Sequence, residues 1–231
     1  MKAVFVTGTD TGVGKTIVSA GIAIVLKKKG INVGVMKPIE SGCSFRDGRF
    51  LPKDALFLKR AAGVDDPIGD ICPYPLSYPL APKVAASLEK REIKIEVIKN
   101  AFMRISSRHE LTLVEGIGGI MVPIIDDILV VDLIGMLNIA VVLVTHAHLG
   151  TLNHTLLTVD KLKTRGIDIV GIIINHIQAK EGLAEITNKE VLKHFTDISI
   201  LGSIPYLRKR DLNHLSHIFE ESINFSPFLK H

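Results

Sequence analysis

Short apolar runs alternate along this chain with longer stretches whose apolar residues recur at helical spacing. The runs read as strands over residues 2–6, 32–37, 111–115, 139–145, 169–175 and 199–204. Between them the spacing predicts helices over 15–29, 52–62, 93–107, 131–137, 151–165 and 188–195, with a last one over 212–222. Such regular alternation, with strands apolar on both faces, predicts an α/β fold: a doubly wound, mainly parallel sheet with helices on both faces. In that architecture ligands collect at the C-terminal ends of the strands. The segment 65–82 holds five of the ten prolines (Pro67, Pro73, Pro75, Pro79 and Pro82) and reads as an irregular loop within the fold. Neither an internal repeat nor a low-complexity segment is visible.

Composition narrows this picture without changing it. A length of 231 residues fits one α/β domain spanning 1–231 better than two small ones. The hydrophobic content of 47% and mean hydropathy of +0.32 are what fully buried parallel strands produce. The most apolar stretch, 128–144, is broken by Asp132 and Asn138, so it reads as a helix followed by a strand and not as a membrane span. The strand after Lys2 is too short and too soon broken by Gly8 and Asp10 for a signal peptide, and a cytoplasmic protein is expected. Cys43 and Cys72 give neither a disulfide framework nor metal spacing and read as reduced thiols. The net charge of +4 is modest. The basic runs 27–29 and 208–210 lack interleaved aromatics and read as solvated charge, so no nucleic-acid partner is expected.

Chemistry enters at the first strand end. The run Thr7-Gly-Thr-Asp-Thr-Gly-Val-Gly-Lys-Thr16 lies between a predicted strand and a predicted helix. Gly12 and Gly14 let backbone N–H groups turn inward, and the helix N-terminus adds unpaired N–H groups and its positive dipole end. The backbone of this loop would hold the phosphates of ATP, with Lys15 reaching the outer ones and the Thr16 hydroxyl ligating Mg²⁺. Five residues separate Gly8 from Gly14, one more than in the common P-loop, and Thr9 stands where a glycine is usual. This departure marks a variant P-loop.

Other polar residues fall at the remaining strand ends. Glu115 closes the apolar run 111–114 and either emerges into water or serves Mg²⁺ opposite Thr16. The run Gly116-Ile-Gly-Gly119 behind it, which contains Ile117 and Gly118, allows close backbone approach. Lys37 reads equally as a snorkelling surface residue or a site residue. Asp54 begins a predicted helix, where a carboxylate is an ordinary dipole partner. His146 and His148 have no third ligand at metal spacing. Asn175 either caps the next turn or reads a base edge.

Taken together, these residues resemble dethiobiotin synthetase. The resemblance rests on Gly8-Thr-Asp-Thr-Gly-Val-Gly-Lys-Thr16, Lys37-Pro-Ile-Glu-Ser-Gly42, Asp54-Ala and Val114-Glu-Gly-Ile-Gly-Gly119. Leu149-Gly-Thr-Leu-Asn-His154, Asn175 and Gly202-Ser-Ile-Pro205 extend it over nearly the whole chain. It implies ATP-dependent carboxylation and ring closure of 7,8-diaminopelargonic acid with CO₂, through a carbamate and a carbamic-phosphoric anhydride. It also implies Gly12, Val13, Gly14, Lys15, Thr16 and Ile17 around the phosphates, Thr16, Asp54 and Glu115 as the Mg²⁺ set, and Lys15 and Lys37 as the catalytic cations. Glu115, Gly116, Ile117 and Gly118 would border the nucleotide, and Asn175, Ile204, Pro205 and Tyr206 would form the adenine pocket. Thr11, Ser41 and Gly118, with Lys37, would face the diamine or carbamate. The helix start containing Gly150, Thr151 and Asn153 would come from the second subunit of a homodimer and receive the substrate's carboxylate. His148 stands where a permanently basic residue is expected in some relatives, and the segment after Tyr206 matches no pattern.

Two other readings compete. A cobyrinic-acid-type amide ligase would need a glutamine-handling domain for which the chain has little room. A nucleotide switch of the Par/Min kind carries a signature lysine early in its P-loop, where Asp10 stands here.

Overall fold

The computed structural model describes residues 2–179, 182–209 and 211–229. Six strands form one parallel sheet: β1 (Ala3–Gly8), β2 (Val33–Met36), β3 (Leu111–Gly119), β4 (Ala140–His146), β5 (Ile169–Asn175) and β6 (Ile200–Ile204). Their order across the sheet is β6-β5-β4-β1-β3-β2. The chain therefore starts in the interior at β1, builds one edge through β2 and β3, then builds the other from β4 outward. β1 lies between the two halves, and its C-terminal end opens on the crevice that such a reversal creates.

The helices are α1 (Lys15–Lys28), α2 (Lys53–Ala62), α3 (Ile68–Ile71), α4 (Pro82–Leu88), α5 (Ile95–Ser106), α6 (Val130–Leu137), α7 (Thr151–Thr164), α8 (Leu183–Phe195) and α9 (Leu212–Ser222). Side chains of a strand point alternately to its two faces, and the cores follow that alternation. Val4, Val6, Val142 and Val144 pack with α1 and α9. Ala3, Phe5 and Val141 pack on the opposite side with α5 and α6. Leu143, Ile172 and Ile174 meet α7 and α8. Full burial of a side chain such as Phe5 contributes about 1.5–3 kcal/mol, so these strands are held firmly beneath the loops they carry. At Gly21 a β-carbon would lie 2.5 Å from the Phe219 ring; glycine there lets α9 pack directly on α1.

The predicted strands and helices are present with boundaries mostly within two residues. Three differences have physical causes. α8 starts at Leu183, five residues before the predicted 188, because Glu185 Oε2 accepts the Gly182 N–H at 2.8 Å and caps the helix. The proline-rich segment is not irregular throughout: it contains α3, pairs Tyr74–Pro75 with Ile39–Glu40, and ends where Pro82 opens α4. Proline at a first helical position loses no helix hydrogen bond. β3 continues past 115 to Gly119, pairing Gly119 with Gly8 after a shift in register. Two antiparallel ribbons, Ser44–Arg46 with Arg49–Leu51 and Pro123–Ile125 with Ile128–Leu129, were not foreseen. Of the basic run 208–210, Arg210 lies outside the described residues.

Beyond the sheet edge, Asp66 ties loops together. Its carboxylate meets Arg108 Nη1 at 2.8 Å and His109 Nε2 at 2.7 Å, while His109 Nδ1 lies 2.7 Å from Asn32 Oδ1. Burial would raise the Asp66 carboxyl, but the hydrogen bonds from Arg108 and His109 outweigh it and hold the group below the usual range.

Candidate active site

Between β1 and α1 the backbone turns through Gly12 (φ 80°) and Gly14 (φ 95°), a conformation open to glycine at little cost. Thr9 N–H donates to Val144 O at 2.9 Å, which anchors the loop to β4. Asn175 Nδ2 donates to Val13 O at 2.9 Å from the end of β5. A β-carbon at Gly14 would lie 2.1 Å from that amide nitrogen, so the close approach requires glycine. The start of α1 has neither a side-chain cap nor an acidic residue in its first turn, which leaves its amides for an anion. Lys15 Nζ donates to Asp10 O at 2.9 Å across the loop.

Glu115, Lys37 and Asp54 stand across from this loop and are linked to it through Thr16. Thr16 Oγ1 donates to Glu115 Oε1 at 2.7 Å, and Lys37 Nζ reaches the same oxygen at 2.6 Å. Lys37 also contacts Gly116 O at 3.3 Å and lies 3.7 Å from Asp54 Oδ2. Lys37 is only 4% exposed, so it is a buried cation and not a surface lysine. Burial alone would lower its pKa; Glu115 and Asp54 overcome that and raise it. Lys15 goes the other way, down to about 8, through burial and the neighbouring Lys37 charge. The second Glu115 oxygen, Oε2, is buried with no protein partner. With the Thr16 hydroxyl and the half-exposed Asp54 carboxylate it makes a hard-oxygen set of the kind Mg²⁺ takes when phosphates and water complete its shell.

These groups line a cleft of about 490 Å³ that gathers Thr11, Gly12, Gly14, Lys15, Thr16, Ile17, Lys37, Ser41, Asp54, Glu115, Ile117 and Gly118. Val13 is buried beneath the loop. Glu40 and Phe57 also face the cleft and were missed in the sequence. Glu40 lies within the motif 37–42, and that is the one local signal that could have found it.

A P-loop in this setting is shared by many proteins, and comparison with known ones separates them. Residues 2–212 match a family model described as an AAA domain. An ATP-dependent dethiobiotin synthetase BioD of Thermodesulfovibrio yellowstonii is 46% identical over 211 residues, covering 88% of both chains. The BioD of Nitrosopumilus maritimus is 39% identical and covers 100% of both. The chain belongs to the dethiobiotin synthetase family. Among solved structures, a MinC:MinD cell division protein complex of Aquifex aeolicus matches with a TM-score of 0.56 at 16% identity, over 94% of this chain and 86% of that one. A ParA family ATPase of Chlorobium tepidum matches with 0.56 at 17%, over 96% and 93%. At that identity they show the doubly wound P-loop fold alone.

The remaining residues that the resemblance to dethiobiotin synthetase pointed to lie outside the cleft. Asn175 is buried against the P-loop, in register with Ile204, which is itself buried. Pro205 and Tyr206 line a separate depression with Arg208, Lys209 and His214. Gly150 caps α7, Asn153 is exposed, and Thr151 is buried with its N–H on His148 O. The Thr151 hydroxyl lies 2.6 Å from Thr145 Oγ1, which also receives Thr155 Oγ1 at 3.0 Å and contacts Thr9 Oγ1 at 3.1 Å. A buried hydroxyl cluster thus joins the P-loop to the start of α7.

His146 and His148 stack with ring centres 5.1 Å apart. His148 Nδ1 lies 2.7 Å from Glu185 Oε1, and burial with the neighbouring His148 and His154 lowers His146. Among the described residues no group of three His, Cys, Asp or Glu side chains converges as a metal site, here or elsewhere. Burial, then Glu40, pushes the Cys43 thiol up to about 12 and Cys72 upward as well; neither is a nucleophile at neutral pH.

Proposed function

We propose that this chain, acting as one domain over 1–231, uses ATP to close the ureido ring of dethiobiotin on 7,8-diaminopelargonic acid and CO₂. The observation that carries the reading is the cluster of Lys37, Glu115 and Thr16 facing the P-loop, in a chain of this family. One substrate amine captures CO₂ as a carbamate with release of a proton. A carbamate oxygen then attacks the γ-phosphorus and ADP leaves. The second amine attacks the carbonyl of the mixed anhydride and gives up a proton, phosphate departs, and the ring closes. No protein nucleophile is needed; the protein's part is alignment and neutralisation of charge.

Gly12 to Ile17 hold the phosphates, Lys15 and Lys37 face the γ-phosphate and carbamate, and Thr11, Ser41 and Gly118 face the diamine. Thr16, Asp54 and Glu115 would hold Mg²⁺, which supplies charge neutralisation between the outer phosphates when bound. Asn175, Ile204, Pro205 and Tyr206 would take the adenine.

We also propose a homodimer in which α7 of one subunit faces the cleft of the other. Two observations support it. Gly150 and Asn153 stand apart from their own cleft, and Leu149 (87% exposed), Leu183 (82%) and Ile186 (63%) leave an apolar surface beside the α7 start. The uncapped amides at 152 and 153 are natural receptors for a carboxylate.

No helix among the described residues is long and apolar enough to cross a membrane. The cytoplasm is the compartment that suits two reduced thiols and an ATP substrate.

The test is direct. Incubation with diaminopelargonic acid, bicarbonate and MgATP should yield dethiobiotin by mass spectrometry. ATP turnover indifferent to the diamine but stimulated by DNA or lipid would replace this reading with a nucleotide switch.

A further inference from the structure

Helix α2 begins without a cap of its own: Pro52 at its N-cap position makes no side-chain hydrogen bond. The missing acceptor comes from elsewhere in the chain. Glu40 Oε1 accepts the Asp54 N–H at 3.0 Å, and Glu40 Oε2 accepts the Ala55 N–H at 2.9 Å. One carboxylate thus satisfies two orphan amides at once and places its charge at the positive end of the helix. Glu40 is only 6% exposed, and its own strand pairs Ile39–Glu40 with Tyr74–Pro75, so the carboxylate is held from both directions. Asp54, whose amide it grips, lies 3.7 Å from Lys37 through Oδ2 and opens onto the cleft beside Thr16 and Glu115.

We propose that Glu40 is the positioning residue of the metal site: by capping α2 it fixes where the Asp54 carboxylate stands relative to Thr16 and Glu115. This rests on the reading of Asp54 as a Mg²⁺-directed residue. The alternative is that Glu40 only stabilises α2. The two differ in what they make of Asp54. A cap that serves the fold alone changes melting temperature whatever stands at 54. A cap that positions Asp54 changes the Mg²⁺ requirement only while Asp54 is there. The chemistry of outer-sphere partners sets the scale, about 10-fold to 100-fold in metal affinity.

The experiment is a cycle of Glu40→Gln, Asp54→Ala and the double variant in the full chain. Glutamine keeps one acceptor oxygen and the side-chain length, whereas alanine would leave both α2 amides without an acceptor. Each protein is titrated with Mn²⁺ in the presence of ATP by electron paramagnetic resonance and with Mg²⁺ by turnover, and its melting temperature is recorded. Glu40→Gln should weaken metal binding about tenfold, and should weaken it no further in the Asp54→Ala background. In nitrogen-proton correlation spectra the Asp54 and Ala55 amide protons should move upfield in Glu40→Gln as the bonds weaken. Unchanged metal affinity in Asp54→Ala would remove the metal reading on which this stands. Weaker binding in Asp54→Ala but wild-type binding in Glu40→Gln would leave that reading intact and overturn the role of Glu40. Equal losses from Glu40→Gln in both backgrounds would also overturn it, since the effect would then not pass through Asp54.

Discussion

Lys37 Nζ, just beyond the end of β2, and Glu115 Oε1, midway along the adjacent strand β3, stand 2.6 Å apart, both almost wholly removed from water. Removing one partner of a buried pair leaves the other unpaired, at a cost of about 3–5 kcal/mol. Lys37→Ala should therefore abolish ring closure and also lower the melting temperature. Adding Glu115→Ala should restore part of the lost stability without restoring turnover. If the double variant melts no higher than the less stable single one, the pair does not bear on stability.

Glu115 has a second task if Oε2 turns to Mg²⁺. Glu115→Gln keeps the shape but removes the charge, so half-maximal activity should need about tenfold more Mg²⁺ or more. Metal-free ATP binding should change far less. An unaltered Mg²⁺ titration would show that the oxygen without a protein partner serves another purpose.

The pH dependence of nucleotide binding follows from Lys15. With its pKa lowered to about 8 by burial and by Lys37, its charge is present at neutral pH and is lost as pH rises through 8. Bound phosphates favour the charged form, so ATP affinity should fall on the alkaline side, and binding there should take up a proton. Calorimetry in buffers of differing ionisation heat measures this uptake. Lys15→Arg should bind without it; uptake that persists in that variant belongs to another group.

Asp66 predicts the acid side of stability. Its carboxyl is depressed in the folded state, so its contribution is present above the ordinary aspartate value of about 3.9 and is lost as pH falls through the lower folded value. Asp66→Asn should lower the melting temperature at pH 7 and flatten its decline in acid. A decline as steep as that of the parent would assign the acid sensitivity to other carboxylates.

Shared sites can be tested by subunit exchange. Lys37→Ala and Asn153→Asp should each be inactive alone, the second because a carboxylate then faces the substrate's own. In a mixed dimer one of the two clefts pairs an intact Lys37 with an intact partner helix, and activity should partly return. Verified exchange without recovery would end the shared-site proposal.

Much of this was legible in the sequence because it is local. The strands β1 to β6 announce themselves as apolar runs, and Gly12 to Thr16 carry their chemistry in their spacing. Lys37 was not resolved by pattern, since its burial depends on β3 lying beside β2, which no window around residue 37 contains. Glu40 was missed for the same reason: its partners, Asp54 and Ala55, lie across an intervening ribbon. α4 was hidden because Pro82 was counted with the irregular segment 65–82, whereas it opens the helix. The start of α8 was hidden because Gly182 offers no capping side chain, and Glu185 supplies the bond from inside the helix.

The hydroxyl of Thr145 has three neighbours and a single proton. Since Thr155 gives its proton to Thr145, one of Thr9 and Thr151 must also give and the other must receive, because an oxygen with two lone pairs accepts no more than two. The P-loop threonine and the first threonine of α7 therefore take opposite parts in one chain of hydrogen bonds, and reversing either reverses both. Valine at position 145 would erase that sense of direction and strand the hydroxyls on each side, whereas serine would keep it.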